Sequence, residues 1–436
     1  MGLGALTVYG VGDMLGAGIY GLMGKAAGLM GNAVWLAFVM AMLVALLTGL
    51  SYANIGSRYP RAAGAPYVAQ RAFRAPFVSY LIGLGVAASG LTSMATGSRV
   101  IAGYVQSLGV RWPTEVLVIV FLGLLTLVVF RGMRESTWMN ILCTTVELSG
   151  LLIVIAVGVG SWGSVNYLET PPTSSGDVAA GISAGLLLQG AVLTFFSFIG
   201  FEDILNVSEE VKHPRTTLPL GLLLALVIAT TLYILVAITA VSVLPYRELG
   251  QSKAALVDVV RKAAPSFPPI LFTAISIFAV ANTALLNFVM GSRLLYGMSR
   301  QGLLPARLGR VHPVRRTPHV AILVLLVLVL ALALTGDIRQ LADATSLLLL
   351  GAFVVVNGAL VILKLRPGEP RGAFEVPVFV PALGALVCLV MIFGRVLGPE
   401  ADARAPLIAG GIVTGIALLY LLLRPKSVMG EGSEQP

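Results

Sequence analysis

The sequence predicts an all-α membrane protein of about twelve transmembrane helices, the first and sixth of them broken. Two observations carry this expectation. Hydrophobic residues make up 57% of the 436 positions, charged residues only 11%, and mean hydropathy is +0.93. Soluble domains carry about 25% charged residues, so water is not the solvent for most of this surface. The second observation is pattern: apolar runs near the 20 residues that a span needs recur along the whole chain. They lie at roughly 4–24, 32–56, 76–107, 113–130, 138–160, 181–208, 218–243, 269–297, 319–335, 341–363, 376–397 and 405–423. Only helices and closed barrels satisfy their backbone inside lipid. The runs are too long for barrel strands and lack their alternation, so helices are predicted.

Lipid takes the place of a water-excluding core, so the length predicts one domain, 1–436, rather than several. Cys143 and Cys388 lie apart in apolar stretches and predict no disulfide framework. No cleavable leader is expected, because the first apolar run is broken by glycines and has no basic segment before it. Orientation follows from lysine and arginine. With both termini inside, 19 basic residues fall in cytoplasmic segments and eight in outer loops. The basic loops are accounted for by that rule, so no nucleic-acid partner is expected.

Two spans depart from an ordinary apolar helix. The first places Gly10, Gly12, Gly16, Ala17 and Gly18 around Asp13, and the sixth has Gly200 followed by Glu202 and Asp203. The sixth comes five spans after the first, so they enter the membrane from opposite sides. That is expected of a 5+5 inverted repeat, here roughly 1–160 and 181–363, with two extra helices at 376–423 and a short cytoplasmic tail, 424–436. Interruptions at corresponding places in two halves point to a central binding site. Each break leaves N–H groups unpaired at the positive end of a half-helix, which suits an anion such as a carboxylate. Gly16, Ala17 and Gly18 let the backbone come close to such a group. The freed carbonyls suit an ammonium. Ser197 to Gly200 play the matching part in span six, with Phe196 and Phe198 offering apolar area. Small residues such as Gly12 and Gly16 also mark close helix packing, and the matched pair of breaks favours the site.

Asp13, Glu147, Glu202 and Asp203 each sit inside an apolar run. A charge at the bilayer centre costs about 3 kcal/mol on insertion scales. Such groups therefore face the interior, pair, or carry a proton. Glu202, Glu147 and Asp13, in that order, are the proton-coupling candidates. Asn282, Thr283, Asn287, Thr345 and Ser346 are expected to join helices rather than line a pathway. His213, His312 and His319 show no metal spacing. No nucleophile–base arrangement or nucleotide fingerprint stands out, so neither an enzyme, a metal nor a cofactor is expected.

The run Gly10-Val11-Gly12-Asp13-Met14-Leu15-Gly16-Ala17-Gly18-Ile19-Tyr20 resembles the first-helix signature of the amino acid–polyamine–organocation permeases. Phe195 to Glu202, with Glu209 to Arg215 and Leu218-Pro219, is similar to their sixth helix and the loop after it. Ser292 to Pro305 and Ser57 to Tyr67 resemble the loops after their eighth and second helices. The likeness runs in order over nearly the whole chain. It implies a twelve-helix transporter fold and alternating access, driven by a proton gradient or by exchange, at the plasma (inner) membrane. It also implies that a substrate carboxylate sits on the backbone of Gly16, Ala17 and Gly18. The ammonium would meet carbonyls near Met14 and in Ser197, Phe198 and Ile199. Phe196 falls at an aromatic gate and Glu202 at a proton-sensitive acid of some members. Two positions depart from the pattern. Glu147 stands where several proton-coupled members carry a lysine, which leaves proton and sodium open as coupling ions. Asp13 replaces an uncharged polar residue. The expected function is an amino acid permease, by symport or antiport. A polyamine or cationic amino acid carrier is the alternative within transport, and a channel or membrane sensor the alternative outside it.

Overall fold

A computed structural model describes residues 1–59, 64–132, 137–172, 182–397 and 403–423. The segment Pro60 to Ala63 of the loop after the second span, and the tail 424–436, lie outside the described residues. Among the described residues the fold is all-helical, with no strand. The chain opens with α1 (Leu3–Met14), α2 (Ala17–Met30) and α3 (Val34–Arg58), then a short α4 (Gly64–Phe73). Next come α5 (Pro76–Ser107), α6 (Thr114–Arg131) and α7 (Thr137–Gly158). After α8 (Ala184–Phe195) the backbone tightens into 3-10 turns at Phe196–Phe198 and Phe201–Glu210. The rest comprises α9 (Pro214–Val243), the short α10 (Tyr246–Gln251) and α11 (Ala255–Ala263), α12 (Pro269–Arg300), α13 (His319–Thr335), α14 (Ile338–Leu365), α15 (Phe379–Leu397) and α16 (Arg404–Leu423).

Ten helical stretches among the described residues are long and apolar enough to cross a bilayer. In that count α2 and α3 run together as Ala17–Arg58, and α13 is a shorter apolar helix. Local signals set the boundaries. Proline opens α5, α9 and α12, where its missing N–H costs nothing. Asp337 and Gln340 form a reciprocal capping box at the start of α14, satisfying two orphan donors. Gly132, at φ 82°, ends α6 in a conformation open to glycine. Side chains point outward in the reverse of a soluble protein. Leu127 of α6, Val327 of α13 and Leu422 of α16 are 60%, 65% and 81% exposed, a surface that lipid covers without cost.

Inside, α14 packs along α5, α5 along α12, and α3 along α9. Two buried polar contacts fasten these helices, the first of them tying α15 to the body. Arg395 donates through Nη2 to Asp343 Oδ2 of α14 at 2.8 Å, and both side chains are almost fully buried. Asn357 Nδ2 donates to Thr48 Oγ1 at 3.1 Å, joining α14 to α3. The loop between α14 and α15 clamps the ends of α3 and α4. Glu375 accepts from Arg58 Nε and Nη2 at 2.6 and 2.7 Å and also pairs with Lys364. Glu369 accepts from Arg71 Nε at 2.8 Å and from the Tyr59 hydroxyl at 2.7 Å. Burial acts to raise the Glu375 carboxyl, but the bonds from Arg58, Lys364 and the Gly372 N–H outweigh it and hold it at about 2.

Candidate functional site

The first break falls where the glycines are. The helix α1 ends at Met14, and Gly16 adopts φ 152°, ψ −127°, a region that suits glycine. A Cβ at Gly16 would lie 2.0 Å from Thr283 Oγ1 of α12, so sterics as well as backbone demand glycine there. The helix α2 restarts at Ala17, and the N–H groups of Ala17, Gly18 and Ile19 head it without intrahelical partners. That of Ala17 reaches Thr283 Oγ1 at 3.4 Å.

The second break takes a form that the apolar run does not announce. The α-helix ends at Phe195, passes through a 3-10 turn and an extended Ile199, and reaches Gly200 at φ 118°. It continues as a 3-10 helix from Phe201 rather than as α. The Glu202 carboxylate folds back, and its Oε2 accepts from the Gly200 N–H at 3.0 Å.

The two breaks touch. A Cβ on Gly18 would sit 2.4 Å from Ser197 Cα, and one on Gly200 would sit 2.7 Å from the Asp13 carbonyl oxygen. Behind them the Tyr233 hydroxyl of α9 lies 2.7 Å from the carbonyls of both Met14 and Ser197. Those two carbonyls, expected to be open to an ammonium, thus already have a protein donor.

Between the breaks lies a cavity of about 30 Å³, lined by Asp13, Met14, Ala17, Gly18, Phe196, Ile199 and Gly200, with Asp203 beside them. From α5 and α12 it receives Ser93, Thr283, Leu286, Asn287 and Met290. It has room for one or two waters, so an amino acid enters only if the walls move. Ile199, Asp203, Asn287 and Met290 are shared with a second cavity of about 230 Å³. That cavity runs past Glu202 and Tyr52 to Gly64 and Pro66 of α4, so the site opens toward the basic end of the bundle.

Six of the nine expected binding residues line the small cavity: Met14, Ala17, Gly18, Phe196, Ile199 and Gly200. Gly16 shapes it from behind. Ser197 packs on Gly18, and its hydroxyl is buried without a hydrogen-bond partner among the described residues. Phe198 turns into the core, its ring edge-on to Tyr233 at 5.3 Å. Asp13 and Asp203 border the small cavity and Glu202 the larger one, whereas Glu147 borders neither. The Glu147 side chain is fully buried on α7, its Oε1 accepting from Asn282 Nδ2 at 2.8 Å. Its backbone carbonyl accepts from the Tyr20 hydroxyl of α2 at 2.5 Å.

Sequence reading missed four of the residues that shape the site: Tyr233, Ser93, Leu286 and Met290. A lone tyrosine in an otherwise aliphatic run was the one usable signal, since a buried hydroxyl needs a partner. Thr283 and Asn287, expected to glue helices, do so and also line the cavity: Thr283 Oγ1 accepts from the Ala17 N–H of α2, and Asn287 Nδ2 donates to Ser93 Oγ of α5 at 3.3 Å. Thr345 does join helices, donating to Thr92 Oγ1 of α5 at 2.7 Å. Gly12 is a packing residue, its would-be Cβ 1.9 Å from Thr144 Oγ1 of α7.

Fold and site together define an integral, multi-pass membrane protein built around two contacting helix breaks. The chain belongs to the amino acid permease family, which matches residues 2–419. It is similar to an uncharacterized transporter of Mycobacterium tuberculosis, 30% identical over 420 residues, 95% of this chain and 90% of that one. A branched-chain amino acid permease of Bacillus subtilis is 27% identical over 410 residues, 89% and 86% of the two chains. The mouse cationic amino acid transporter 4 is 30% identical over 387 residues, 84% of this chain and 60% of its own. Family and relatives are transporters rather than enzymes.

Proposed function

We propose that this permease carries amino acids by alternating access through the cavity between its two breaks, as proton-coupled symport or exchange. The contact of Gly18 with Ser197, beside that of Gly200 with Asp13, is the observation that carries the reading. It brings the N–H groups heading α2 onto the same small space as Phe196 and Ile199, so a carboxylate and an apolar group can be held together. Glu202 is the first proton carrier in this scheme, since it borders the route to the basic end, with Glu147 and Asp13 next. The coupling ion in this scheme is a proton, with sodium the alternative. The chain is read as twelve crossings with a 5+5 inverted repeat, both termini on the cytoplasmic side of the plasma membrane. Support for that orientation is the 19 basic residues on one side against eight on the other. Opening toward the basic end corresponds to an inward-facing conformation.

Substrate charge admits a second reading, favoured by Asp13 and Asp203 on the cavity wall. A cationic amino acid or polyamine would find two carboxyls there, in line with the named activity of the mouse relative. Uptake into proteoliposomes, with a competition panel of neutral amino acids, cationic amino acids and polyamines, separates the two. Imposing first a proton and then a sodium gradient identifies the coupling ion. Saturable flux with counterflow is expected, and non-saturating flux without counterflow would replace the carrier with a channel.

A further inference from the structure

At the basic end, away from the cavity between the breaks, a second concavity of about 550 Å³ opens between α6, α12 and the loop that precedes α13. Arg131, Arg293, Arg315 and Arg316 line it, together with Ser292 and Tyr296. The positive-inside rule explains why this end is rich in arginine. It does not explain why four arginines from three elements should converge on one hollow.

The loop that carries Arg315 and Arg316 is held in place. The loop is pinned to α6 by Thr317, whose hydroxyl donates to the Phe130 carbonyl at 3.0 Å. It is closed on itself by the His312 N–H bonding to the Thr317 carbonyl at 2.9 Å, and by the Arg316 N–H bonding to the His312 carbonyl at 2.8 Å. Arg316 sits at φ 56° to complete that turn. Below the arginines the wall is apolar, formed by Val129, Val289 and Ile322. On either side, Leu127 and Val128 of α6 and Leu323 and Val324 of α13 are exposed, which makes an apolar groove along the bundle leading up to a cationic head.

We infer that this hollow is a binding site for a phosphate-bearing anion, presented by the headgroup of an anionic phospholipid in the adjoining leaflet. Guanidinium groups match phosphate oxygens in paired hydrogen bonds, and basic pockets between membrane helices suit such headgroups. The exposed leucines and valines below favour a lipid over free phosphate, since acyl chains cover that surface and a soluble anion leaves it bare.

The test uses the full chain, purified and delipidated, with melting followed as phosphatidylglycerol, phosphatidylcholine or inorganic phosphate is added. Wild type should be stabilised by phosphatidylglycerol at lower concentration than by phosphatidylcholine. The midpoint should rise about fivefold for each arginine removed in the series Arg131→Gln, Arg315→Gln, Arg316→Asn. Asparagine is used at 316 because it tolerates positive φ. The triple variant Arg300→Gln, Arg307→Gln, Arg310→Gln removes the same charge from exposed positions outside the hollow and should behave as wild type. Equal weakening in both triple variants would assign the effect to diffuse surface charge and overturn the site. Inorganic phosphate acting on wild type alone, with no preference between the lipids, would leave an anion site but overturn its assignment to lipid. If the pocket triple variant does not fold, Arg315→Gln alone with its fivefold shift decides the matter.

Discussion

Gly18 of α2 lies against Ser197 of the sixth-span break so closely that a Cβ on the glycine would stand 2.4 Å from the serine Cα. The obstacle is backbone, not a flexible chain end, so neither partner gives way cheaply. Gly18→Val therefore separates the two breaks, at a cost in the range of about 1–3 kcal/mol for overpacking. The variant should still elute as a folded protein but lose amino acid binding altogether, as read by ligand-induced thermal stabilisation. Retained affinity would remove the α2 backbone from the site. Gly85→Ala is the matched control, because nothing lies within 4 Å of its added Cβ.

Tyr233→Phe removes one oxygen and nothing else. The carbonyls of Met14 and Ser197 then face each other with no shared donor, and a buried acceptor left unsatisfied costs about 1–3 kcal/mol. A lower melting temperature and slower counterflow are both expected. Unchanged counterflow would make the hydroxyl a stabilising contact with no part in positioning the breaks.

Glu202→Gln keeps an oxygen that can accept from the Gly200 N–H, so the second break should survive. What it loses is the ability to carry a proton. Accumulation driven by a pH gradient should disappear while exchange of internal for external substrate persists in part. Proton-driven accumulation that survives in Glu202→Gln and fails in Glu147→Gln would move the role to Glu147, which is likewise left with an oxygen for Asn282.

The Glu375 clamp makes a pH prediction with a definite sign. Its carboxyl titrates at about 2 in the folded protein, below the usual glutamate value of about 4.3. Its contribution is therefore complete above the unfolded value and is lost as pH falls from there through about 2. Glu375→Gln should melt lower than wild type at neutral pH by an amount corresponding to about 1.5–3 kcal/mol for a lost charged hydrogen bond. The gap should narrow as the solution is acidified below pH 4. A gap that stays constant with pH would mean that the clamp does not depend on the carboxylate charge.

The helices, their membrane setting and the positions of the two breaks were all determined by the sequence itself. Each depends on a local property: the mean hydropathy of some 20 residues, or a glycine cluster at one point of a run. What the local signal could not determine was the direction each side chain faces. In a helix such as α13, apolar on every side, no polar stripe marks the inward face, and the same is true of the neighbours of Tyr233. Only the tertiary structure decided that Tyr233 reaches the carbonyls of Met14 and Ser197, that Phe198 turns away while Phe196 stays, and that Gly12 packs on Thr144. It also joined Asp343 to Arg395, two charges lying far apart in the chain. These are all contacts between separate helices, set by how the helices rotate against one another, and hydropathy along a chain carries no term for that rotation.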